Sequence, residues 1–145
     1  MNSLVKVVPN VKKFKAYIDD LKNGTTPIMI SGLTDSGKMH FAYSSYFYQE
    51  KPICIVTYNE MQAKKIIKDL NYFDEDVEYF PKKEIFAYDY IAESNDTLFE
   101  RIKVLNSIKA KTAKIIVTTI ESLMQPMINS KVLYSNSLKL FFYML

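Results

Sequence analysis

Four short apolar runs, spaced along the chain and separated by stretches with helical periodicity, constrain this chain more than any other feature. They cover residues 27–31, 53–57, 77–80 and 114–119, and the second and fourth are rich in β-branched residues. Between them lie segments whose apolar residues recur every three or four positions. Val11, Phe14, Tyr17, Ile18 and Leu21 mark a helix over 11–23, which Asn23-Gly24 stops. An aromatic-rich helix is expected over 38–50, ended by Pro52. Residues 59–70 place Met61, Ala63, Ile66, Ile67 and Leu70 inward, and residues 96–109 do the same with Leu98, Ile102, Leu105 and Ile108. A last helix starts at Ile120. Buried strands alternating with helices imply an α/β fold, a parallel sheet flanked by helices on both faces and joined by right-handed crossovers.

At 145 residues the chain has room for one core and little more. A hydrophobic fraction of 48% argues against intrinsic disorder. Cys54 and His40 are the only residues of their kinds, which leaves no basis for a disulfide framework or a metal site. No apolar run is long enough to span a bilayer, and the first fifteen residues do not read as a signal peptide, so a cytoplasmic setting without membrane contact is expected. The net charge of +3 does not demand a nucleic-acid partner. Arg101 is the single arginine among nineteen basic residues, which disfavours sequence-specific DNA reading.

All three glycines, Gly24, Gly32 and Gly37, fall in one short stretch. The last two frame Gly32-Leu33-Thr34-Asp35-Ser36-Gly37-Lys38-Met39, a G-x-x-x-x-G-K pattern between an expected strand and an expected helix. A working phosphate loop directs backbone N–H groups and its lysine at the phosphates, and the next residue ligates Mg²⁺ through a hydroxyl. Met39 offers a thioether there, which has no affinity for a hard cation. Asp35 adds a carboxylate where the polyphosphate would lie, and two like charges ~4 Å apart repel by about 1 kcal/mol even in water. The loop therefore reads as a degenerate, inactive phosphate loop (Gly32, Thr34, Asp35, Ser36, Gly37, Lys38, Met39) retained as a structural turn. No catalytic residue and no cofactor are expected.

A second pattern runs through Phe80-Pro81-Lys82-Lys83-Glu84, Tyr88-Asp89-Tyr90 and Glu100-Arg101-Ile102. Pro81 fixes the exit from the third run, the tyrosines serve as anchors, and Arg101 is expected to pair with Glu84 or Asp89. Cys54 is expected to be a small buried hydrophobe, and Lys82-Lys83 a solvated pair. The Tyr43, Tyr46, Phe47 and Tyr48 cluster reads as core and contact surface.

The ordered set GLTDSGK, ICIVTYNEMQAKKIIKDL, DVEYFPKKEIFAYDYIAESNDTLFERIKVL and KIIVTTIESLMQPM resembles the amino-terminal region of the bacterial transcription-repair coupling factors, the Mfd family. That region is similar in turn to UvrB, the damage-recognition subunit of nucleotide-excision repair. The specific parts are the FP-x-x-E-x-x-x-YD pattern (Phe80, Pro81, Glu84, Tyr88, Asp89), the following E-R-I helix with Arg101, and the T-T-x-x-x-L-M-Q turn. The resemblance covers roughly residues 25–127. It implies an incomplete helicase-like domain of the UvrB kind, related to P-loop NTPases, over 1–130. Residues 131–145 are then the start of a following small domain or a truncated tail. Compared with UvrB, the phosphate loop is altered at Asp35 and Met39, and the short interval after Tyr90 leaves no room for an aromatic DNA-gripping hairpin.

By resemblance, the whole family protein is an ATP-driven DNA translocase that displaces stalled RNA polymerase. This module is then a non-catalytic scaffold in the region that recruits UvrA and restrains the motor. The implied partners are the motor domains of the same polypeptide, UvrA through an adjoining domain, and RNA polymerase and DNA only through the full-length protein. Two other readings stand beside it: a nucleotide-binding helicase-like domain, which needs Ser or Thr at position 39, and a lysine-mediated DNA-binding module, which predicts steeply salt-dependent binding.

Overall fold

The computed structural model describes residues 8–49, 51–73, 76–83 and 96–135. Strands β1 (Ile53–Thr57), β2 (Val77–Phe80) and β3 (Ile115–Thr119) form one parallel sheet in the order β1-β3-β2. Central β3 is buried over its whole length, as its continuous apolar start requires. Val117 is flanked by Ile55 and Tyr79, and Ile116 by Cys54 and Glu78, so alternate residues of all three strands share a face. The helices are α1 (Lys12–Lys22), α2 (Asp35–Gln49), α3 (Glu60–Leu70), α4 (Asp96–Ala110), α5 (Ile120–Met124) and α6 (Ser130–Ser135). This is the α/β architecture that the alternating pattern implies.

The larger core lies on the Ile55/Val117/Tyr79 face. Met39 and Tyr43 of α2 and Ala63, Ile66 and Leu70 of α3 bury themselves there against Ile115 and Val117. On the other face α4 contributes Val104 to a smaller cluster with Phe80, Ala113 and Ile116. Helix α1 packs outside α2, where Phe14 meets Phe41 edge-on at 5.2 Å and Tyr48 at 5.8 Å. Gly24, at φ +75°, ends α1 as expected, with the Thr25 N–H donating back to the Asp20 carbonyl.

Five expectations need correction. The 27–31 run is not a strand: Met29 is 94% exposed, and residues 28–31 instead line an apolar groove with Phe14, Tyr17 and Phe41. A buried strand needs a ladder on its edge and cover on both faces, and this run has neither among the described residues. Helix α2 starts at Asp35, before the Gly37-Lys38 pair. Cys54 is exposed, because its half of the second face extends beyond the cover of α4. On α4 the buried line is Arg101 and Val104, while Leu98 and Ile108 are exposed; on α3, Met61 is exposed although Ala63, Ile66 and Leu70 are buried.

Of the segment assigned to a small domain or tail, residues up to Ser135 lie in α6, and the remainder is outside the described residues.

Candidate functional site

The G-x-x-x-x-G-K stretch folds as a helix start. Thr34 caps α2: its Oγ1 accepts the Gly37 N–H at 3.1 Å and its carbonyl accepts the Lys38 N–H at 2.9 Å. Gly37 permits this closure, since a Cβ there would lie 3.0 Å from Thr34 Oγ1. Gly32 turns the chain into the cap at φ +79°. Asp35, in the first turn, faces the positive end of the helix dipole. Its Oδ1 pairs with Lys38 Nζ at 3.2 Å and its Oδ2 with Lys65 Nζ of α3 at 3.1 Å. Hydrogen bonds from Lys65 and then Lys38 hold the Asp35 carboxyl below the usual carboxylate range, and Asp35 in turn raises the Lys65 ammonium.

Ser36 is exposed beside this cluster, whereas Met39 points the other way into the core. The position that would ligate a metal in a phosphate loop is here a packing residue. His40 stacks on Phe73, with ring centroids 5.3 Å apart and planes 6° from parallel.

The described members Phe80, Pro81 and Arg101 of the second motif group meet at the carboxyl end of β2. Phe80 and Pro81 are buried, and Arg101 reaches them from α4. Arg101 Nη1 donates to the Pro81 carbonyl at 2.5 Å, and its guanidinium lies 4.1 Å from the centre of the Phe80 ring. Burial pushes the Arg101 guanidinium below its ordinary value. The carboxylates expected to pair with Arg101, Glu84 and Asp89, lie outside the described residues, as does Tyr88. The next two residues are also held. Lys82 Nζ pairs with Glu121 Oε2 at 3.1 Å, so the expected solvated lysine pair is anchored at its first member. Gln125 Oε1 accepts the Lys83 N–H at 2.6 Å, while its Nε2 donates to the Lys83 carbonyl at 2.9 Å.

The threonines of the T-T-x-x-x-L-M-Q turn divide the labour. Thr118 Oγ1 donates to the Phe80 carbonyl at 2.9 Å, locking β2 to β3. Thr119 Oγ1 accepts the Ser122 N–H at 3.2 Å and caps α5. Asn59 caps α3 in the same way through Gln62. Between these caps lies a crevice of about 290 Å³ lined by Asn59, Met61, Tyr79, Lys82, Thr119 and Glu121. Burial first, then Glu60 and Glu100, push the Tyr79 phenol up to about 12.

Sequence reasoning missed three residues. Gln125 and Thr118 stood inside a quoted motif but had no assigned role. Lys65, thirty positions from Asp35, carried no sequence signal; only the packing of α2 on α3 joins them. Among the described residues no three histidine, cysteine, aspartate or glutamate side chains gather as a metal site, and no helix is long and apolar enough to cross a membrane.

These features define an α/β domain with a self-capped G-x-x-x-x-G-K turn and a motif cluster that ties β2, β3, α4 and α5 together. Among proteins of known function, the chain is similar to the transcription-repair-coupling factor of Bacillus subtilis strain 168, 26% identical over 125 residues, 85% of this chain and 11% of that protein. It is also similar to that of Staphylococcus haemolyticus, 28% identical over 103 residues (70% of the chain, 9% of the relative). A third match, from Staphylococcus epidermidis, is 30% identical over 87 residues (59% of the chain, 7% of the relative). The resemblance carried by the motifs is thus borne out: the chain is similar to part of these transcription-repair-coupling factors, and spans about a tenth of their length. No protein-family model matches it, and no solved structure does.

Proposed function

We propose that this chain is a non-catalytic, UvrB-like scaffold module of a transcription-repair coupling factor, within the region that recruits UvrA and restrains the translocase motor. The observation that carries the non-catalytic part is Asp35 at the start of α2. Its carboxylate takes up Lys38 and Lys65, the charges that a phosphate would need, and Thr34 takes up the Gly37 N–H. Magnesium and a triphosphate do not fit these residues, because Met39 is committed to the core. The scaffold part is supported by the cluster around Phe80, Pro81, Arg101 and Gln125, whose contacts join neighbouring elements to one another. In this reading UvrA, RNA polymerase and DNA engage the larger polypeptide, with UvrA bound through an adjoining domain, and the module works in the cytoplasm.

The recruiting role is tested by co-purification of UvrA with the full-length protein, with and without exposed substitutions on this module. Loss of UvrA binding or release of ATPase activity supports the reading; neither effect from any surface position contradicts it. DNA binding by the lysines is the competing reading, and filter binding of the chain at low and moderate salt separates the two. Weak binding with no steep salt dependence is expected.

A further inference from the structure

We draw no further inference here: the strongest candidate, the apolar groove between α1, residues 28–33 and the first turns of α2, carries nothing because nothing in the structure shows what covers it.

Discussion

Asp35 is where a single side chain decides most. A carboxylate at the N-terminus of α2, hydrogen-bonded by two ammoniums, has its ionised form favoured. The folded value lies below the unfolded one, so the contribution to stability is present above the ordinary carboxylate range and is lost as pH falls through the folded value. Carboxyl NMR titration should therefore place the Asp35 midpoint below that of an ordinary aspartate, and Lys65→Met should move it upward. A midpoint unmoved by that change would mean that the ion pair is not formed in solution. Arg101 is the opposite case, a buried charge satisfied by a carbonyl and a ring rather than left bare. Arg101→Ala should cost about 2–3 kcal/mol in urea unfolding, since hydrogen bonds to charged groups contribute roughly 1.5–3 kcal/mol. Arg101→Lys should recover little of it, because an ammonium lacks the planar fork that reaches Pro81 while lying on Phe80. Full recovery by lysine would contradict the geometric account.

At the scale of elements, what was legible in the sequence follows from periodicity and punctuation. Strands at 53–57 and 77–80 and the helix ending at Gly24 came out where the residues put them, because apolar runs and a positive-φ glycine leave few alternatives. The inward face of α4 did not. Its apolar spacing favoured Leu98 and Ile108, but Arg101 anchors the helix to Pro81 and turns Val104 toward the sheet. Residues 27–31 have a strand's composition, yet a strand exists only where a neighbour supplies its ladder, which no local pattern encodes. Helix α3 makes the contrast measurable. Leu70→Ala should cost about 2–5 kcal/mol, as expected for a large side chain removed from a packed core, whereas Met61→Gln should change stability by less than about 0.5 kcal/mol. Equal costs for the two would show that α3 packs on a different face. Gln125→Ala should destabilise by about 1–2 kcal/mol through loss of both Lys83 bonds, read in the same denaturation series.

For the whole molecule, several described residues of the motifs that suggested a family also join its elements. Phe80, Pro81, Arg101, Thr118 and Gln125 stitch the sheet to α4 and α5, so their pattern is explained by structure before any partner is invoked. Asp35 and Met39 were readable from the sequence alone as departures from a working G-x-x-x-x-G-K loop. The way its charges are taken up was not, because Lys65 comes from a different helix. The measurement that tests the central claim most directly is a titration of the chain with a fluorescent ATP analogue, with and without magnesium. Our account predicts no micromolar binding in either condition. Micromolar, magnesium-dependent binding that disappears in Lys38→Ala would contradict it.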